Sequence, residues 1–155
     1  MIFSKEQMFT DTSTAAGQTL NAAATVTSTN VIDLGDTGSV RNAPGTPPKK
    51  LVRDVGPGEP VAIWIGVNSV AGANTLKVDL IQSTAANMAA PDILATSRIV
   101  TLAAGVPTQF GINFLPDGIT KRFIALSFTT TTAAVIGVDA GITLGKQSNI
   151  TVAAA

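Results

Sequence analysis

The sequence predicts an all-β protein: a jelly roll or β-sandwich of about eight antiparallel strands, preceded by an extended N-terminal arm. Three observations predict it. Short apolar runs alternate with period two, as strands with one face in a core do. Turn residues separate these runs at regular spacing. No segment carries an amphipathic helical pattern longer than two turns, and no internal repeat is present. A chain of 155 residues suits one domain. It is long enough to bury about two-thirds of the surface its unfolded form exposes.

The elements follow in order. Residues 1–24 show no strong strand period and read as an arm. Phe3, Met8 and Phe9 are its apolar residues, and a small polar run follows from Thr12 to Ala24. Such a segment needs a partner surface to order it, or else pairs as a short strand at a sheet edge. Residues 25–146 form the sandwich. Thr25 to Leu34 is rich in β-branched residues and ends at the turn pair Gly35-Asp36. Residues 36–60 read as one long surface loop, because Pro47-Pro48 and Gly56-Pro57-Gly58 oppose regular structure. From Val61 to Asn68, Val61, Ile63, Ile65 and Val67 share one face, with Ala62, Trp64, Gly66 and Asn68 on the other.

Ala71-Gly72-Ala73-Asn74 turns the chain, and Leu76, Val78 and Leu80 make the next apolar face. Ser83 to Asp92 reads as a loop. Arg98 to Leu102 and Gln109 to Leu115 are two further strands, split by Ala104-Gly105-Val106-Pro107. Pro116-Asp117-Gly118 is a turn in which Pro presets φ and Gly tolerates φ > 0. Arg122 to Thr130 alternates Ile124, Leu126 and Phe128 against Ala125, Ser127 and Thr129, and Ala134 to Leu144 is the last strand. Residues 147–155 are a small, polar tail.

Composition narrows the function. Charged residues make up 13% of the chain, against about a quarter in an ordinary soluble domain. Thr, Ala, Gly, Val and Asn fill the difference, so another protein can cover this surface with few charges to desolvate. Ten basic and ten acidic side chains balance. The densest basic cluster, Lys49, Lys50 and Arg53, is followed at once by Asp54, which argues against nucleic-acid binding. No run reaches the roughly 18 apolar residues of a membrane helix. Met1 to Glu6 does not read as a secretory signal, so synthesis in a cytoplasm is the expectation.

Candidate chemistry is thin. Without His or Cys, Ser-His and Cys-His nucleophile pairs and imidazole or thiolate metal sites cannot be built. Glu6 and Glu59 are the two glutamates, both in irregular segments. Asp36-Thr37-Gly38-Ser39 resembles an aspartic-protease signature, but Gly35 stands where that motif carries an apolar residue, and a turn explains the letters. Asp33, Asp36, Asp117 and Asp139 are conceivable Ca²⁺ ligands without a spaced acidic loop. Asn149-Ile150-Thr151 is a glycosylation sequon by letters alone. Trp64, the single tryptophan, fits a core position, an interface or a sugar platform. The expectation is a non-enzyme with no cofactor and no bound metal.

Five stretches together resemble a known family. They are Gln7-Met8-Phe9-Thr10-Asp11, Ser28-Thr29-Asn30-Val31-Ile32-Asp33-Leu34-Gly35, and Val55-Gly56-Pro57-Gly58-Glu59-Pro60-Val61. Leu115-Pro116-Asp117-Gly118 and Arg122-Phe123-Ile124-Ala125-Leu126-Ser127-Phe128 complete the set. In order and spacing they resemble the capsid cement (decoration) proteins of short-tailed bacteriophages, the Bordetella-phage type, over most of residues 7–144. The stretch from Thr37 to Asp54 is longer than that pattern. The resemblance implies a jelly roll on the outer surface of the phage head, made in the host cytoplasm, with no catalytic residues. It implies two partners: the major capsid protein, and further copies of this chain in a dimer or other homo-oligomer. Candidate interface residues are Phe3, Met8 and Phe9 in the arm and Lys49, Lys50 and Arg53 in the long loop. The alternative is a glycan- or receptor-binding jelly-roll module of a head or tail fibre, with Trp64 as its platform.

Overall fold

The computed structural model describes residues 8–10, 17–36, 39–40, 49–50, 61–113, 115–116 and 118–144. Among them all regular structure is β. The strands are β1 (Gln18–Leu20), β2 (Thr25–Thr27), β3 (Ile32–Asp33), β4 (Ser39–Val40), β5 (Lys49–Lys50) and β6 (Val61–Val70). They continue as β7 (Asn74–Ser83), β8 (Asp92–Thr96), β9 (Val100–Leu102), β10 (Thr108–Ile112), β11 (Phe123–Thr130) and β12 (Ile136–Leu144).

Two antiparallel sheets form a β-sandwich. The first has the order β1-β12-β6-β10. The second runs β2-β11-β7-β8, with β3 also on β11 and β9 also on β7, and β4 and β5 make a separate two-stranded ribbon. The core lies between the sheets. Ile63, Ile65 and Val67 of β6 meet Leu76, Val78 and Leu80 of β7, with Ile124, Leu126 and Phe128 of β11 alongside, all buried. Each such side chain contributes about 1.5–3 kcal/mol. These are the alternating residues of the sequence, and alternation puts them on one face.

Within β6 the alternation breaks once, for a physical reason. Val70 is buried although it lies three residues after Val67. In the β12–β6 ladder Gly137 opposes Ser69 and Val138 opposes Val67, so Asn68 is the extra residue of a bulge. Asn68 and Ser69 both face out, and Val70 returns to the core.

The structure corrects several boundaries. The segment read as an arm contributes β1, so the sandwich begins well before residue 25. The edge-strand alternative is what forms. Thr25 to Leu34 divides into β2 and β3, each pairing with a different part of β11. The long loop holds the β4–β5 ribbon. β8 begins at Asp92, the last residue of the expected loop, and runs through residues 93–96, to which the sequence reading assigns no element: it is an edge strand with mostly exposed side chains, so no alternation marks it.

Met8, Phe9 and Thr10 fill the side of the sandwich next to β1. Met8 bridges to Gly141 of β12. The Phe9 amide donates to Ala140 O (2.9 Å), and Asn30 N donates to Phe9 O (2.9 Å). Thr10 Oγ1 accepts from Ala140 N at 3.0 Å. These few residues therefore tie β12 of one sheet to the β2–β3 connection of the other. Gln18 repeats the pattern: its Nε2 donates to Thr27 O (2.9 Å) and its Oε1 accepts from Thr29 N (2.9 Å). Gly17, at φ +64°, precedes it, and a Cβ there would collide with the Asp139 carboxylate and the Val138 carbonyl.

Candidate interaction surfaces

The two ends of the sandwich differ in chemistry. At one end four connections meet: residues 21–24 (β1–β2), 71–73 (β6–β7), 103–107 (β9–β10) and 131–135 (β11–β12). Backbone bonds join them. Thr130 N donates to Ala24 O (3.1 Å), Ala71 N to Val135 O (2.9 Å) and Gly105 N to Val70 O (3.0 Å). Thr130 Oγ1 also donates to Ala22 O at 2.6 Å.

Asn74 holds this end in place. The side chain is buried. Its Oδ1 accepts from the amides of Thr75 (2.8 Å), Thr132 (3.1 Å) and Thr131 (3.2 Å). Its Nδ2 donates to Thr132 O at 3.0 Å. A single amide thus caps the start of β7 and the threonine turn after β11. Asn74→Ala is expected to cost about 2–3 kcal/mol, because it strands several main-chain groups at once. A urea midpoint unchanged from wild type would contradict this.

The four connections contain nine alanines, Val106, Pro107 and Val135, and not one charged residue. Ala22, Ala23, Ala71, Ala104, Val106, Ala133 and Val135 are exposed. The result is a firm, neutral, small-residue surface.

The opposite end collects charge, and among the described residues Arg122 pairs with Asp33 and Asp36, and Lys121 with Asp92. Arg122 Nε and Nη2 form a fork onto the Asp33 carboxylate, both at 2.7 Å, while Nη1 reaches Asp36 at 2.9 Å. Asp33 raises the pKa of this exposed guanidinium by hydrogen bonding, so Arg122 stays charged. Its guanidinium also lies 5.2 Å from the centroid of the Phe123 ring. Lys121 Nζ meets Asp92 at 2.6 Å. Beneath these pairs Gln82 is buried, and its Oε1 accepts from Thr120 N (2.9 Å) and Lys121 N (3.1 Å).

The sequence-derived candidates land as follows. Met8 and Phe9 are buried in the chain's own sandwich, so neither side chain is offered to a partner. Lys49 and Lys50 form β5, with their side chains outside the described residues. Phe3, Arg53 and Asp117 lie outside the described residues. Asp36, the residue of the protease-like tetrapeptide, is an exposed partner of Arg122. Asp139 accepts from Asn68 Nδ2, away from the Asp33–Asp36 pair. Trp64 is half-buried on the outward face of the first sheet. Its indole lies over Gly66, and Gly111 and Gly141 flank it on the neighbouring strands. Among the described residues no three acidic groups come together and no helix is long and apolar enough to cross a membrane.

No motif pointed to the neutral end. Its parts lie far apart in the chain, and each looks like an ordinary Ala/Gly turn. The available signal was negative: four turns without a charge.

A family model called Bbp16 matches residues 12–146. The chain belongs to the Bbp16 family. That family is named for a Bordetella phage protein, so the chain takes its place among phage proteins. The matched span includes both sheets and all four connections of the neutral end, while Met8 to Thr10 precede it. No curated protein matches the chain.

Proposed function

We propose that this member of the Bbp16 family is a structural virion protein: a capsid cement protein that binds the outside of the phage head and stabilises the joints between major capsid protein subunits. The observation that carries the reading is the neutral end. Covering it desolvates no charge, so apolar contact and backbone hydrogen bonds are not offset by an ionic penalty. Hydrogen bonding through Asn74 holds the surface in shape, so docking orders little chain. Family membership and the lack of His and Cys support a non-enzymatic role. A chain that binds the assembled shell and not its separated subunits stabilises the shell by mass action. Many copies around a symmetric head reinforce one another.

The glycan-binding alternative rests on Trp64. The half-buried indole packed against Gly66 supports a packing role more than a free stacking platform.

Co-sedimentation with expanded heads lacking the protein tests the proposal. The expected result is saturable binding, with heads that survive a higher temperature than undecorated ones. Heads that neither bind the chain nor gain heat resistance would overturn it.

A further inference from the structure

We infer that residues 84–91, between β7 and β8, form a strained strap that opens from the second sheet as a unit and uncovers the apolar patch beneath it. This stands on the strap's own geometry and does not depend on the capsid reading.

The patch is a small core on the outer face of the sheet. Ile81 of β7 and Ala125 of β11 oppose each other, one residue out of step with Leu80 and Leu126, which face the main core. Ile81 and Ala125 are nonetheless buried, because Met88 packs against them, with the partly buried Val31 and Phe123 alongside.

The strap has little else to hold it down. Within residues 84–91, Met88 alone is buried. The hydrogen bonds are local. Ala85 N donates to Ser83 Oγ (3.1 Å), which donates to Ala89 O (2.8 Å). Met88 N donates to Ala85 O (3.0 Å), and Ala89 N to Asn87 Oδ1 (3.1 Å). Among the described residues no hydrogen bond joins the strap to anything beyond Ser83. One thioether side chain therefore fastens it to the sheet.

Two backbone conformations work against that fastening. Met88 has φ +55° and Ala90 φ +46°, in the left-handed region where a Cβ crowds the following carbonyl. Ala90 also precedes Pro91, whose ring pushes the residue before it toward extended backbone. The strain of two such residues and the burial of one methionine are similar in size and opposite in sign. The closed strap is thus held by a small margin, and opening it requires no other part of the sandwich to move. Once open, the backbone relaxes, and Ile81, Ala125 and Met88 offer an apolar patch beside the Arg122–Phe123 pair.

Methionine oxidation reads the opening directly. Peroxide transfers one oxygen to an accessible thioether, giving the sulfoxide and water. Met88 and Met8 are buried to nearly the same degree, 6% and 5% exposed, but Met8 belongs to the sandwich and bridges to β12. In the full chain treated with dilute hydrogen peroxide, peptide mapping by mass should show Met88 oxidised at least tenfold faster than Met8. Ala90→Gly changes an exposed position to a residue that takes the left-handed backbone freely, so it should slow Met88 oxidation about threefold. Equal rates at Met88 and Met8 would overturn the inference, because the strap would then open only with the whole fold. So would a Met88 rate that Ala90→Gly leaves unaltered, because strain would then play no part in the opening.

Discussion

Phe9→Ala is expected to lower stability by about 3–5 kcal/mol, the usual cost of emptying a fully buried phenylalanine site. At roughly 2–4 °C per kcal/mol for a chain of this size, the melting temperature should fall by about 6–20 °C. The reason is position. Phe9 is fully buried, and main-chain bonds on both sides fix it between β12 and the β2–β3 connection. The cavity cannot close without breaking those bonds. Removing residues 1–10 should be at least as damaging, since Met8 and the Thr10 hydroxyl go too. A thermal melt of Phe9→Ala within a degree or two of wild type would show that this segment serves something other than the core.

Placing one carboxylate at the neutral end should have the largest effect on binding. Ala104→Asp and Ala133→Asp change exposed turn positions, so stability should move by no more than about 0.5 kcal/mol. If the end is covered in the complex, the new charge is desolvated without a partner and costs several kcal/mol. Binding to expanded heads should then weaken by roughly tenfold to a thousandfold. Thr120→Asp, exposed at the charged end, serves as the control and should bind as wild type does. Equal weakening by all three would point to general charge repulsion. No weakening by Ala104→Asp or Ala133→Asp would remove this surface from the interface.

The sandwich was legible because its central strands obey one rule. Ile63, Ile65 and Val67, or Ile124, Leu126 and Phe128, alternate for long enough to announce an inner face. Where that rule lapses, so does the reading. β8 is an edge strand with little buried on either side, and β1 is three residues in a run of small polar ones. Phe9 carries no periodicity at all. It enters the core from a segment with one isolated bridge, so its apolar character alone suggested an interface. Lys49, Lys50 and Arg53 stand out in the sequence as a cluster, and their side chains lie outside the described residues; the described surface with a consistent chemistry is defined by lacking charge. That surface exists only after long-range pairing brings residues 21–24 beside residues 131–135, and no local pattern encodes such a meeting.

Hydrogen exchange of the chain, free and bound to expanded heads, tests the central claim most directly. The account predicts protection on binding at residues 21–24, 71–73, 103–107 and 131–135, with the amides around Arg122 and Asp33 unchanged. Protection confined to the charged end, or a bound chain whose exchange matches the free one throughout, would contradict it.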